Sequence, residues 1–210
     1  IKQVRQWISN GYIGDIICVD CNRGIKMPMN VSRLWNNKLG GGCLMDIGVY
    51  TVSILTMIFG PKLPETIQSI GNIDGDVDTM FSCIIKYNDK QYAVMNGTFH
   101  GNNTNECNII GTRGRIRIFG KFHCPTKVAM ISESQKEITK EYTLPNDYKY
   151  KMNYGSHGFC YEINHVIQCL DQGRIESLLH TWKDTEICMK IMDEMRRQIG
   201  IKYDADNLLN

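Results

Sequence analysis

Hydrophobic and polar positions along the chain predict helices toward both ends and strands between them. An almost unbroken apolar run at 43–59 predicts a helix that is buried on most sides. A second helical pattern begins near residue 159, and its apolar positions are Phe159, Ile163, Val166, Ile167 and Leu170. A third covers about 182–199, where Gly200 predicts its end, and a short helical pattern at 4–10 ends before Gly11.

Runs rich in β-branched residues predict a sheet between these helices. The runs fall at 14–22, 66–73, 79–87, 91–100, 105–110, 115–119, 126–132 and 137–144. Short connections, such as the one at 88–90, favour hairpins. Several strands that follow one another through tight turns indicate an α+β fold with a largely antiparallel sheet. Segments 23–37 and 145–156 are polar and irregular, and we expect loops there.

Composition narrows the class of protein. The chain has 210 residues, 42% hydrophobic and 22% charged, which is ordinary for one soluble globular domain. A net charge of +2 gives no reason to expect a nucleic-acid partner. Nine cysteines without paired spacing suit a reducing compartment, so we expect a cytoplasmic protein. The longest apolar run, 43–59, is interrupted by Asp46 and is shorter than the ~20 residues of a membrane span, so no membrane is expected.

The apolar run at 43–59 also carries the candidate chemistry. Three glycines at 40–42 precede it, and glycine permits positive φ and close backbone approach to a ligand. Asp46 lies in the first turn, and Tyr50 lies four residues later on the same helix face. A carboxylate and a phenol that meet there would form an acid–base pair. The alternative is a helix-dipole partner beside a core tyrosine.

The stretch Gly40-Gly-Gly-Cys-Leu-Met-Asp-Ile-Gly-Val-Tyr50 resembles the motif Gly-Gly-(Gly)-x-Leu-x-Asp-x-Gly-x-His/Tyr of the Gfo/Idh/MocA oxidoreductases. The resemblance continues at 77–79, 108–114, 124–126, 161–170 and 194–200, and so covers nearly the whole chain. The tyrosine variant is similar to the branch of the family that oxidises trans-dihydrodiols or D-xylose with NADP.

The resemblance implies a domain organisation. Residues 1–13 would end a helix that leaves a cofactor domain, and residues 14–210 would form the substrate-binding and dimerisation domain. Its fold would be an open, mostly antiparallel sheet with helices on one face, and the open face would pair two subunits as a homodimer. The sequence has no strand followed by G-x-G-x-x-G, so we expect the N-terminal Rossmann domain to be absent from this chain.

The resemblance also implies residue roles. Tyr50 would be the catalytic base, and Asp46 would orient the substrate or the phenol. Because a phenol has an ordinary pKa of about 10, it needs a nearby cation, which similar enzymes supply from a Glu-Lys-Pro segment that this sequence lacks. NADP would be bound mainly by the missing domain, with Gly41 and Gly42 of this chain near it.

Three further residues are candidate substrate ligands. Arg33 either clamps a hydroxyl or phosphate oxygen or is a surface residue beside Trp35. His123 and Phe159 correspond to pocket positions of the similar branch, and both could equally be core or rim residues.

No metal site is expected from the sequence. The aspartates at 74–78 begin like a calcium loop, but Thr79 and Ile85 replace the required Gly and Glu. Glu162 and His165 stand three apart without a second such pair, so we expect them to hydrogen-bond each other.

These observations predict the C-terminal part of an NADP-dependent dehydrogenase for trans-dihydrodiols or aldopyranoses such as D-xylose, inactive without its nucleotide-binding domain. One alternative is a non-catalytic binding or dimerisation module derived from that enzyme. Another is a related polyol or inositol dehydrogenase, although Tyr50 replaces the histidine common in those branches.

Overall fold

One eight-stranded sheet organises the chain in the computed structural model, which describes residues 1–144 and 158–208. The strands are β1 (Ile16–Gly24), β2 (Thr66–Asp74), β3 (Val77–Asn88), β4 (Gln91–Thr98), β5 (Cys107–Gly111), β6 (Gly114–Ile118), β7 (Lys127–Ser132) and β8 (Glu137–Glu141). Their order is β2-β3-β4-β1-β5-β6-β7-β8. Only the β1–β4 pair is parallel, so the prediction of a mostly antiparallel sheet is confirmed.

Four α-helices accompany the sheet: α1 (Lys2–Ser9), α2 (Val49–Phe59), α3 (Phe159–Asp171) and α4 (Trp182–Ile199). A π-helical turn, Leu44–Gly48, leads directly into α2, and short 3₁₀ turns occupy Ser32–Leu34, Asn37–Leu39 and Asp204–Leu208. The loop predicted at 145–156 lies outside the described residues.

Alternation along β3 shows where the core lies. Phe81, Cys83 and Ile85 are buried, whereas Ile84 between them is 53% exposed. The buried face packs beneath α2 and α4, whose apolar residues belong to the same cluster. Ile70 of β2 and Tyr92 of β4 lie on the other face and are exposed as well. Helices therefore cover one face of the sheet and leave the other open, as predicted.

Helix α3 forms where the periodicity predicts it, but the described residues leave its apolar side uncovered. Phe159, Ile163 and Leu170 are all more than half exposed, and Cys169 is the one buried residue of the helix. The predicted Glu162–His165 hydrogen bond is wrong. His165 instead reaches Ser177 Oγ at 2.8 Å, because the polypeptide that follows α3 turns back beside it.

The helical segment Asn37–Phe59 begins six residues before the apolar run at 43–59. Its 23 residues are sufficient in length and composition to cross a membrane. Within its most apolar window, however, 61% of the residues are buried inside the protein. This burial is what the core helix of a folded domain shows.

Candidate active site

The glycine turn that introduces the site is fixed by its own hydrogen bonds. The N–H of Gly41 donates to Asn36 O at 3.0 Å, and the N–H of Gly42 donates to Leu34 O at 3.0 Å. A Cβ on Gly41 would lie 2.7 Å from the carbonyl oxygens of Arg33 and Leu34. Gly42 has φ +126°, a conformation that side chains rarely adopt. Close packing of the chain on itself therefore requires both glycines.

A buried carboxylate from β3 caps the helix that follows this turn. Asp78 Oδ2 accepts the N–H of Leu44 at 2.6 Å, and Asp78 is 0% exposed. Burial raises the pKa of Asp78 to about 6, although the Leu44 and Cys43 N–H groups oppose the rise. A side chain on Gly42 would overlap Asp78 Oδ1. The Tyr203 hydroxyl closes the turn by donating to Gly41 O at 2.7 Å.

The π-helical turn then presents Asp46 and Tyr50, but it does not join them. Asp46 Oδ1 accepts Arg33 Nη1 at 2.7 Å, with the Asp46 side chain 18% exposed. Within the described residues the Tyr50 hydroxyl makes no hydrogen bond, and Tyr50 is 39% exposed. The predicted contact of carboxylate and phenol is therefore absent, because Arg33 takes the carboxylate. π-Turns occur often at functional sites.

Tyr50 lies between a histidine and an arginine. The His123 ring centroid is 5.0 Å from that of Tyr50, and the Arg23 guanidinium carbon is 5.6 Å from the Tyr50 centroid. Burial, reinforced by the positive charges of Arg23 and Lys121, lowers the pKa of His123 to about 4. His123 is therefore neutral at physiological pH. Its buried Nδ1 has no hydrogen-bond partner in the described part of the chain.

Arg23, the last residue but one of β1, is a site residue that sequence reasoning missed. Its Nη1 donates to Asn105 Oδ1 at 3.0 Å, and the same oxygen accepts the N–H of Gly24 at 3.0 Å. Asn105 has φ +57°, and its carbonyl accepts the N–H of Phe122 at 3.0 Å. One asparagine thus positions both the arginine and the turn that carries His123. The signal in the sequence is a cation at the end of a strand, directly before a glycine.

The structure forms two pairs among the predicted residues, Arg33 with Asp46 and Tyr50 with His123, and the charge of Arg23 interacts with both Tyr50 and Asp46. Phe159 is 57% exposed at the start of α3, and no contact within the described residues joins it to Tyr50. Its role in substrate binding stays a prediction, as does the cofactor role of Gly41 and Gly42. Since the N–H groups of both glycines are already bonded within the chain, they offer no donors for a phosphate.

The site is an open surface of the chain. A concavity of ≈ 390 Å³ lies at the other end of α2, lined by residues that include Ile58, Phe59 and Lys90, and it contains none of the candidate residues. No group of three potential metal ligands occurs in residues 1–144 and 158–208.

The arrangement can transfer a proton at an exposed phenol and bind polar oxygens beside it. The turns of the described chain give no glycine-rich strand-to-helix loop with free N–H groups for the phosphates of a nicotinamide cofactor, so these residues would hold no more than the reacting end of such a cofactor.

Comparison with known sequences places this chain beside one family. The family described as GFO/IDH/MocA C-terminal domain matches residues 1–117. The trans-1,2-dihydrobenzene-1,2-diol dehydrogenase of Xenopus tropicalis is 33% identical over 204 residues, which are 96% of this chain and 60% of that protein. The enzyme of the same name from Sus scrofa is 29% identical over 98% of this chain and 60% of its own length. The chain thus spans about 60% of the length of these curated relatives.

Comparison with solved structures identifies the same fold. An aldose-aldose oxidoreductase from Caulobacter crescentus, complexed with glycerol, superposes with a TM-score of 0.76 at 17% identity, over 94% of this chain and 57% of that one. A 3-ketoreductase from Actinomadura kijaniata, in complex with NADP, gives 0.74 at 17% identity over 96% of this chain and 59% of that one. The expected fold class is confirmed.

Proposed function

Because this chain belongs to the Gfo/Idh/MocA oxidoreductase family and matches its C-terminal domain, we propose that it forms the substrate half of an NADP-dependent dehydrogenase. The reaction is the oxidation of a secondary alcohol in a trans-dihydrodiol or an aldopyranose such as D-xylose. The names of the relatives support the dihydrodiol as a substrate. The free hydroxyl of Tyr50, held on a capped helix between Arg23 and His123, carries the proposal.

Tyr50 acts as the proton-transfer group. In its phenolate form it accepts the hydroxyl proton of the substrate as the carbinol is oxidised, and in the reverse direction its O–H donates a proton to the carbonyl. The Arg23 guanidinium carbon lies 5.6 Å from the Tyr50 ring centroid, so a cation stands beside the phenol where the proton is transferred. A nicotinamide ring, if bound here, would supply the acceptor for the hydrogen and two electrons that leave the carbinol carbon.

Asp46 and Arg33 act together as an ion pair that positions the substrate. Their 2.7 Å ion pair fixes the carboxylate one turn before Tyr50 on the same helical segment. The other Asp46 oxygen and the remaining guanidinium donors are then available to substrate hydroxyls. His123, neutral and partly buried, packs against the Tyr50 ring with centroids 5.0 Å apart and limits where the substrate ring can sit.

A Tyr50→Phe exchange in the native gene product tests the proposal. Loss of the proton-transfer group should lower kcat by about 10²–10⁴-fold with NADP and a dihydrodiol or D-xylose. Unchanged circular dichroism would show that folding is intact. Tyr12→Phe is the matched control, because Tyr12 is an exposed tyrosine outside the site. Wild-type kcat in the Tyr50 variant would refute the role and favour a binding or dimerisation module.

We propose that NADP is bound mainly by a separate nucleotide-binding domain. The uncovered apolar side of α3, including Ile163 and Leu170, supports the idea that another domain or subunit packs on this chain. The 210-residue chain alone should then show no turnover. Measurable turnover by that chain with NADP and D-xylose would contradict this division of labour.

We propose a homodimer through the open face of the sheet. Ile70, Ile84 and Tyr92 lie on that face and are 75%, 53% and 43% exposed, which is costly unless a second apolar surface covers them. Light scattering at micromolar concentration should give twice the monomer mass, and a monomer mass would count against the pairing.

The nine free cysteines support the proposal of a cytoplasmic protein.

A further inference from the structure

Arg23 has more hydrogen-bonding capacity than the protein uses. Its Nη1 donates to Asn105 Oδ1 at 3.0 Å. In the described residues no acceptor pairs with its other donors, and its Nε is fully buried without a partner. Burial lowers the pKa of Arg23, and the nearby Tyr50 and Asp46 only partly offset this. A half-buried guanidinium with unused donors costs free energy unless a ligand supplies the missing acceptor.

The charges around Tyr50 do not balance. Asp46, the acid that attracts Arg23, already makes a 2.7 Å ion pair with Arg33. His123 is neutral, and the other charge that acts on it besides Arg23 is that of a second cation, Lys121. Among the described residues, Asp46 is the one carboxylate that offsets the charge of Arg23.

A second unsatisfied atom lies beside the same phenol. The buried Nδ1 of His123 has no partner in the described chain, and the His123 ring is 5.0 Å from that of Tyr50. Buried polar groups are normally hydrogen-bonded, but these two atoms have no accessible surface, so a ligand would pair with the remaining Nη donors of Arg23 beside the exposed phenol. A neutral diol would leave the charge of Arg23 uncompensated, whereas a carboxylate would pair with its planar donors.

We propose that Arg23 binds a carboxylate of the substrate, so that within the proposed substrate class the enzyme prefers a polyhydroxy acid, such as a sugar acid, to a neutral sugar or diol. This substrate class rests on the proposed dehydrogenase function. The carboxylate keeps its charge and its bonds throughout. The C–H hydrogen of a neighbouring carbinol leaves with two electrons for NADP, its O–H proton passes to Tyr50, and the product is the corresponding keto acid with NADPH.

The binding of D-glucuronate and D-glucuronamide, which differ only in charge at one group, tests the proposal by calorimetry on the native gene product. The acid should bind wild type about 10- to 100-fold more tightly than the amide, as charge-assisted hydrogen bonds require. Arg23→Met should remove this preference. Arg115→Met, which deletes an exposed arginine of β6, should preserve it.

Arg23→Lys is a second variant that keeps the positive charge, and unchanged near-UV circular dichroism would show that it is folded. It should retain part of the preference for the acid over the amide. Equal binding of acid and amide to wild type, binding of neither, or a preference that survives in Arg23→Met would each overturn the proposal. Tighter binding of D-glucose 6-phosphate than of glucuronate would reassign the ligand to a phosphate ester and overturn it as well.

Turnover separates this inference from the function on which it rests. Preferential binding of the acid with no NADP-linked oxidation of acid, sugar or dihydrodiol would refute the dehydrogenase and leave Arg23 as a carboxylate ligand. Oxidation of D-xylose and D-glucuronate with equal kcat/KM, unchanged in Arg23→Met, would support the dehydrogenase and refute the role of Arg23.

Discussion

Replacing Asp78 by Asn should change how the stability of the protein depends on pH. The carboxylate is completely buried, and its Oδ2 caps the Leu44 N–H at 2.6 Å. Asn keeps the size and one acceptor oxygen, so the cap persists while the titration disappears. Because burial raises the pKa of Asp78 from the ordinary 3.8 to about 6, its charged form is less favourable in the folded than in the unfolded state.

The sign follows from linkage. An acid whose pKa is raised on folding binds its proton more tightly in the folded state, so its contribution to stability is complete below pH 3.8 and is lost as the pH rises through about 6. At one pKa unit per 1.36 kcal/mol, wild type should gain about 3 kcal/mol relative to Asp78→Asn over the whole window. About 2 kcal/mol of this gain should appear between pH 7.5 and pH 4.5.

Urea unfolding followed by circular dichroism at pH 7.5, 6.5, 5.5 and 4.5 measures this difference. All other titrating groups are common to both proteins and cancel in the comparison. A difference in unfolding free energy that stays constant across these pH values would refute the reasoning, as would one that moves in favour of the variant on acidification. Asp89→Asn, at an exposed hairpin turn, is a control in which acidification should not reproduce this gain.

Two further predictions concern the last helix and the open face of the sheet. Thr181 caps α4 by accepting the Asp184 N–H at 3.2 Å, so Thr181→Ala should cost about 1 kcal/mol and lower Tm by about 2–4 °C in a thermal scan. Thr185→Ala, inside the same helix, is the control, and an unchanged Tm in Thr181→Ala would contradict the capping role. Ile84→Lys places a charge in the proposed dimer face and should convert a dimer to a monomer in light scattering, whereas Ile175→Lys, off the sheet and 80% exposed, should not. A dimer that survives in Ile84→Lys would exclude this face.

The fold follows from local signals to a large extent. The predicted strands and helices all form in the described part of the chain, with bounds that differ by a few residues. Alternation and short turns favour pairing between strands that are neighbours in sequence. The hairpins could therefore be predicted from the sequence. The parallel pairing of β1 with β4 could not be predicted in this way, because it joins Cys18 to Tyr92 across the intervening α2 and the β2–β3 hairpin.

The site was harder to predict from the sequence, because its important contacts join residues that are far apart in the chain. The Gly-rich motif identified Asp46 and Tyr50 through spacing within a single helix. No local pattern links Asp46 to Arg33, which lies on the preceding loop, or Arg23 to Asn105, 82 residues away. The π-turn also escapes periodicity, because one wide turn alters the register of a helix without changing its composition.

The placement of Tyr50 therefore depends on residues other than its own neighbours, Arg23 and His123. Asp78 from β3 fixes the first turn of the helical segment, and Gly42 must lack a side chain because that carboxylate occupies the space. Tyr203 holds the same turn from the C-terminal end of the chain by bonding Gly41 O at 2.7 Å. Since a catalytic group displaced by even ~1 Å can lose much of its rate, the cost of buried charge at Asp78 is consistent with precise placement of Tyr50.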